Sequence, residues 1–306
     1  MHIFGPVPSR RLGLSLGIDP LNCKSCNLNC VYCELGRTVH YVCERKIFVE
    51  TDSLLKELKG YFASGGRADF LTFSGSGEPT LALNLGSLID AVKKEFGLPV
   101  ALITNTTLFS DPAVRADAMK ADVLLPSIDA ACEEAFLKAD RPHPSLKLTD
   151  ILKGFGEFCA VFKGRLWVEV MLVKGLNDTK ENLKKISDYL GQIKNIEKIQ
   201  VNTVVRARAE DYAEPLTPEE LQSAAAILGP KAEVIGKYTG EGFIKTDTVM
   251  EAVITAVTLR PMKISDMLMV INAGEGEILQ AAERAVTEGR VERLEMKKEV
   301  FYRALK

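Results

Sequence analysis

No apolar run in this 306-residue chain approaches the roughly eighteen residues that a membrane-spanning helix requires. The opening M-H-I-F-G-P-V-P-S-R-R has no apolar stretch of the kind that marks a secretory leader. A cytoplasmic protein with no membrane partner is therefore expected. Net charge is scarce too: it is −2, with an isoelectric point near 6.1. That gives no global attraction to nucleic acid or anionic lipid. There are seven cysteines, an odd number that does not suit a disulfide framework and points to a reducing compartment. The chain has no internal repeat beyond its alternating elements and no low-complexity tract. What it does have is 46% hydrophobic and 26% charged residues. This is the composition of a globular protein with a sizeable core, long enough for one large domain and a small one.

Three cysteines, Cys26, Cys30 and Cys33, fall in the run C-N-L-N-C-V-Y-C, with Tyr32 just before the last. A structural zinc site would show a second Cys pair far along the chain, and none is found. Three thiolates at this spacing can hold three corners of a [4Fe–4S] cube while the fourth iron receives no cysteine. Electron-transfer clusters carry four protein thiolates. An open iron points instead to a cluster that binds a small molecule and does chemistry on it. Cys132 and Cys159 lie in helix-like contexts and read as small core residues. Cys23 and Cys43 flank the cluster loop, at spacings that give no support to ligation.

Strand-like and helix-like stretches alternate along most of the chain. Strands are predicted at Gly13–Asp19, Asp69–Ser74, Pro99–Thr104, Asp122–Ser127, Arg165–Val173 and Lys198–Val205. Helices are predicted at Thr51–Ala63, Leu85–Phe96, Leu148–Phe162 and Thr179–Ile193, with Asp52–Ser53 and Asn177–Thr179 as starts. Short apolar strands without clean alternation suit a parallel sheet covered by helices. Six βα units of this kind predict an α/β fold, a partial (β/α)6 barrel over residues 1–242. Such barrels carry their sites at the C-terminal ends of the strands. The cysteine triplet, Ser74–Pro79, Thr104–Asn105, Ser127–Asp129 and Asn202–Arg206 all fall at those ends, and Glu169 and Met171 lie within the fifth strand.

The run S-G-S-G-E-P-T begins at Ser74. Gly75 and Gly77 free the backbone for close approach to a ligand, Glu78 adds a carboxylate, and Pro79 fixes the turn. Alone, such a segment is more often a turn than a site. Following the cysteine triplet by one βα unit, it resembles the Gly-Gly-Glu-Pro element of the radical S-adenosylmethionine (SAM) superfamily, with Ser76 where glycine is frequent. The resemblance implies a [4Fe–4S] cluster on Cys26, Cys30 and Cys33 with SAM on the open iron, and a Gly75–Pro79 segment that binds SAM's amino group. It further implies that Thr104, Asn105, Ser127 and Asp129 bond the ribose or carboxylate, and that Tyr32 and Asn202 lie against the adenine. The plainer reading of Asn, Ser and Asp after a strand is that they cap the next helix. Together with Gly5–Asp19 and I-Q-V-N-T-V-V-R-A, the motifs resemble a branch of Fe–S oxidoreductases akin to the tRNA wybutosine-synthesising enzymes, over about residues 5–245.

The resemblance implies reductive cleavage of SAM to a 5′-deoxyadenosyl radical that abstracts hydrogen from an unidentified substrate. It also implies an electron donor such as ferredoxin or flavodoxin. Arg10, Arg11, Arg141 and Arg206 at the rim, with Glu169, are candidates for substrate contact, since guanidinium groups suit a phosphate or carboxylate. The plainer reading is a salt-bridged arginine. Residues 243–306 change style. After the glycine-punctuated Tyr238–Gly242 come helices at Thr246–Leu259, Ser265–Ile271 and Gly276–Glu288. Strands Val291–Met296 and Val300–Leu305 close a winged-helix-like domain. The third helix is expected to bury Ile278, Leu279, Ala282 and Val286.

From Ile244 onward the tail holds ten basic and ten acidic residues. Tight duplex DNA binding is thus not expected, and protein or peptide contact or packing on the barrel is. Two other functions compete: a glycyl-radical-enzyme activase, and an iron–sulfur redox regulator that binds DNA through its winged helix.

Overall fold

In the computed structural model the described residues are 2–9, 11–205, 208–235, 248–258, 261–268, 271–296 and 299–305. Eight strands form one sheet in chain order: β1 (Ile3–Ser9), β2 (Gly13–Ile18), β3 (Phe70–Phe73), β4 (Val100–Thr104), β5 (Val123–Pro126), β6 (Arg165–Leu172), β7 (Ile196–Thr203) and β8 (Ala232–Val234). All neighbours pair in parallel except β1, which runs antiparallel to β2. The six expected strands are there to within about two residues, and the partial barrel with them. β1 and β8 are additional. β1 carries Pro6 and Pro8, which cannot donate to a ladder, and so reads as irregular. An edge strand tolerates both.

Helices α1 (Thr51–Ala63), α2 (Leu85–Phe96), α3 (Pro112–Ala118), α4 (Leu148–Val161), α5 (Lys180–Leu190) and α6 (Pro218–Leu228) lie between the strands. Their ends follow local chemistry. Thr179 caps α5 by accepting the Asn182 N–H, and Thr217 and Glu220 make a reciprocal capping box at α6. The expected start of α1 at Asp52–Ser53 is displaced to Glu50, whose side chain makes no cap.

Strand alternation sorts the side chains into two populations. Leu16, Ile18, Leu71, Phe73, Val100, Leu102, Leu124, Val168 and Val170 face the helices and join the main core. The intervening residues face the barrel interior. Leu12, Ala101, Val123, Leu125 and Trp167 fill one end of it as a separate apolar plug. Ser15, Thr72, Ile103, Glu169, Met171 and Asn202 line an open space above that plug. The two-residue period thus places Glu169 and Met171 inside.

Residues beyond 248 form α7 (Val249–Ala256), α8 (Ile264–Met267), α9 (Glu275–Thr287) and a hairpin of β9 (Val291–Met296) and β10 (Glu299–Ala304). They have a core of their own around Val253, Met267, Ile278, Ala282 and Tyr302. The buried face of α9 is Ile278, Ala281, Ala282 and Ala285, whereas Leu279, expected inside, is exposed. Small residues let α9 approach its neighbours closely, so the apolar Leu279 is not needed there. The expected linker Tyr238–Gly242 lies outside the described residues, as do the 242/243 boundary and the ends Thr246 and Leu259 of the first expected helix.

Candidate active site

After β2 the chain runs out as a long loop that carries all three cysteines of the triplet. A two-residue ladder pairs Ser25–Cys26 with His40–Tyr41. The loop is anchored by backbone bonds from Asn29 N to Asp140 O (3.0 Å) and from Val31 N to Ala139 O (2.9 Å). Glu78 N donates to Ser25 O at 3.0 Å, which ties the loop to the S-G-S-G-E-P segment. A Cβ on Gly77 would sit 1.7 Å from that same Ser25 oxygen, so only glycine lets the two segments meet. Gly75, at φ +126°, packs its backbone on Asp19. Ser76 donates its hydroxyl to Asp19 Oδ2 at 2.6 Å. The serine that replaces the frequent glycine thus fastens the loop to the end of β2.

These segments border one cavity of about 420 Å³, within the range of small-molecule sites. Cys26, Cys30 and Cys33 all line it, as do Tyr32, Gly75, Gly77, Glu78, Pro79, Thr104, Asn105, Ser127, Asp129 and Asn202. Arg11 and Glu169 line it too. Arg141 does not. Its Nε donates to Asn29 O (2.5 Å) and its Nη1 to Glu210 Oε1 (2.6 Å), so the guanidinium buttresses the cysteine loop from behind. Arg10 and Arg206 lie outside the described residues.

The chemistry of the wall is acidic and buried. Glu78 Oε1 accepts from Thr80 N (3.1 Å), Thr80 Oγ1 (2.6 Å) and Thr104 Oγ1 (2.6 Å), and Oε2 accepts from Asn105 N (2.7 Å). Burial still raises its pKa. Asp129 accepts from Met171 N (2.8 Å) and from the Tyr32 hydroxyl, which also reaches Asp140 at 3.2 Å. Burial and the neighbouring Asp140 push Asp129 well above the usual carboxylate range, and burial lifts Asp140 to about 7. Burial, with Glu78 next, pushes the Cys26 thiol up to about 12. Burial and Asp140 also raise Cys30 well above its ordinary value.

Sequence reasoning missed several of these residues. Asp140 touches Cys30 across 110 positions, and Glu210 meets Arg37 across 173, separations that leave no local signal. Asn177 and Asn182, both fully buried, grip the Asp129 carbonyl at 3.0 and 3.1 Å. Asn177 therefore braces the site, and Thr179 alone caps the helix.

The donor set fits an iron–sulfur cluster. Three free thiols share one cavity, and sulfur ligands select such clusters. Cys26 and Cys30, buried among carboxylates, hold their protons until a cation compensates them, and metal binding releases those protons. N–H donors already face the sulfurs: Leu28 N on Cys26 (3.4 Å) and Lys24 Nζ on Cys33 (3.3 Å). The Asn27 side-chain nitrogen next to Cys26 is buried with no protein partner. Among the described residues no three His, Cys, Asp or Glu side chains are arranged to hold a single metal ion.

The radical SAM superfamily profile matches residues 23–190, a span that holds the cysteine triplet, the G-S-G-E-P segment and strands β3 to β6. The chain belongs to the radical SAM superfamily; it is an enzyme whose cofactors are a [4Fe–4S] cluster and S-adenosylmethionine. Along nearly its whole length it resembles a UPF0026 protein of Methanocaldococcus jannaschii, at 33% identity over 98% of this chain and 94% of that protein. It is also 29% identical to a pyruvate formate-lyase-activating enzyme of Staphylococcus epidermidis, over 58% of this chain and 70% of that enzyme. Among solved structures, a radical SAM methyltransferase from Sphaerobacter thermophilus shares the fold, with TM-score 0.52 at 13% identity. That match covers 72% of this chain and 65% of the other.

Proposed function

We propose that Cys26, Cys30 and Cys33 hold the cluster and that SAM occupies the upper cavity, between the cysteine loop and the ends of β3 to β7. The reading rests above all on one observation: all three thiols and every candidate SAM-binding residue open onto the same cavity. When bound, the cofactors supply reductive cleavage of SAM to a 5′-deoxyadenosyl radical, which takes a hydrogen atom from a substrate. The chain's own residues position and enclose. Gly75 and Gly77 bring backbone close to the methionine end, and Glu78 takes SAM's amino group through the lone pair of Oε2 that Asn105 leaves free. Asn105, Thr104, Ser127 and Asp129 serve the ribose and carboxylate, and Tyr32 and Asn202 the adenine. The reductant is a small electron carrier of the ferredoxin or flavodoxin kind. Residues 243–306 are a winged-helix-like domain that contacts protein or peptide, and the protein works in the cytoplasm. Kinship with the wybutosine branch rests on the motifs alone.

Anaerobic reconstitution should load about four irons per chain, as for one cube. Dithionite with SAM should then release 5′-deoxyadenosine. Full iron loading after replacement of all three cysteines by alanine, or no 5′-deoxyadenosine from the loaded enzyme, would sink the proposal. The likeness to activating enzymes favours one second reading, a glycyl-radical activase. A glycyl-radical signal raised in pyruvate formate-lyase by the loaded enzyme would decide for it.

A further inference from the structure

Arg11 is the one basic residue among the described residues that line the cavity, against five acidic ones: Glu34, Glu78, Asp129, Asp140 and Glu169. Its Nη1 makes an ion pair with Glu169 Oε2. Neither side chain is sealed off, at 18% and 15% exposure. The other guanidinium nitrogens of Arg11 and Glu169 Oε1 meet no protein partner among the described residues. The nearby hydroxyls of Ser15 and Thr72 are occupied with each other, at 2.7 Å.

The pair sits deeper than the cofactor shell. Glu169 lies two residues before Met171 on β6, and the Met171 N–H bonds Asp129. That step is about 6–7 Å along a strand. Below the pair, Leu12 and Trp167 belong to the apolar plug. The pair therefore forms the polar floor of a chamber whose upper part the proposed function gives to SAM.

The charge of the chamber decides what this floor can take. A phosphate would bring about two negative charges to a wall that has, among the described residues, five carboxyl groups and a single guanidinium already engaged by one of them. A lone cation would satisfy Glu169 and compete with Arg11. A ligand with an ammonium and a carboxylate on the same carbon matches both free edges without breaking the pair, through charge-assisted hydrogen bonds. We propose that the Arg11–Glu169 pair recognises an amino-acid-like zwitterion, its carboxylate on the free guanidinium nitrogens and its ammonium on Glu169 Oε1. The inference rests on SAM holding the upper cavity. It narrows the substrate to a molecule with a free α-amino acid group rather than a phosphate ester.

The test uses the reconstituted wild-type enzyme with dithionite, SAM and a mixture of uniformly deuterated L-amino acids, read by the mass of 5′-deoxyadenosine. Transfer of one deuterium atom breaks a C–D bond, forms one at the 5′ carbon and leaves the unpaired electron on the amino acid. Deuterated product is expected. The labelled fraction should fall about tenfold or more in Arg11→Gln and Glu169→Gln, as for loss of one charge-assisted hydrogen bond. Arg11→Lys, which keeps the cation, should recover part of it. Unlabelled 5′-deoxyadenosine from the wild type overturns the zwitterion site and leaves the SAM chemistry standing. Absence of any 5′-deoxyadenosine overturns both. Label arising instead from deuterated ribose 5-phosphate, or label undiminished in both variants, also overturns the site.

Discussion

Glu78 accepts four hydrogen bonds, yet burial keeps its pKa raised. The carboxylate therefore organises its surroundings as much as it offers itself to a ligand. Its oxygens orient Thr80, Thr104 and the backbone of Asn105, and the last two line the cavity. Glu78→Gln must turn an NH₂ group toward donors that cannot all rotate away, and it removes the negative charge proposed to face SAM's amino group. The expected outcome is a cluster retained at full iron content and SAM bound about ten- to a hundredfold more weakly, as for a lost charge-assisted hydrogen bond. Equilibrium binding of SAM to the loaded variant checks this. Unchanged affinity would reduce the segment to a turn.

The same scale shows what local reading reaches. Cys26, Cys30, Cys33 and Glu78 sit in short contiguous motifs, so spacing and the resemblance those motifs carry single them out as candidates. Arg141 was equally visible as a charge, but its partners Asn29 and Glu210 are 112 and 69 positions away. Only the fold turns it from a rim arginine into a brace.

The cysteine loop has little regular structure beyond the Ser25–Cys26 and His40–Tyr41 ladder and is held from three sides. The 139–141 segment bonds it by backbone, the Gly77–Glu78 turn packs on Ser25, and the segment after β7 crosses it. In that last contact Glu210 N donates to Val31 O at 3.0 Å. The Glu210 carboxylate is gripped by Arg37 at 2.9 and 3.0 Å and by Arg141 at 2.6 Å. These partners, Arg37 first, hold its pKa below the ordinary value of 4.5. Glu210→Gln should cost about 1.5–3 kcal/mol, the worth of hydrogen bonds to a charged group. It should also speed iron loss to a chelator, followed by the bleaching of cluster absorbance. The sign with pH follows from linkage. A depressed carboxylate pKa adds stability that is complete above its unfolded value and fades as pH falls through the lowered one. The difference in thermal midpoint between wild type and variant should therefore be full at pH 7 and shrink below about pH 4.5. A difference that grows on acidification would refute the clamp.

On the scale of the whole molecule, the described residues include a main hydrophobic core under the barrel and a distinct one in the C-terminal residues. Every proposed cluster and SAM ligand precedes the C-terminal core in the chain. Truncation after Gly242 should leave reductive SAM cleavage largely intact, since no proposed cofactor contact is removed. Release of 5′-deoxyadenosine by the folded, iron-loaded truncation is the measurement. Its loss would make the tail part of the active site. In the tail the Tyr302 hydroxyl donates to Glu283 (2.5 Å), and Arg284 pairs with Glu288 (2.9 Å). Glu283 of α9 and Glu288 just past its end are thus engaged internally, and the single arginine of α9 has little to offer a phosphate backbone.

Two things were settled in the chain itself: the barrel class, and the cofactor chemistry of its motifs. Both rest on short-range information. Strand and helix periods span a few residues, and the cysteine and glycine-glutamate motifs are local because one loop must present several groups at once. The tertiary structure decided the rest. β1 joined the sheet as an edge strand because its prolines cost nothing there. Strand parity and the twist of the sheet put Glu169 opposite Arg11 across the barrel, 158 positions apart. Asp140 and Glu210 reached the cysteine loop because closure of the barrel rim brought distant segments into hydrogen-bonding range. Such contacts depend on where whole elements end up, and no local pattern records that.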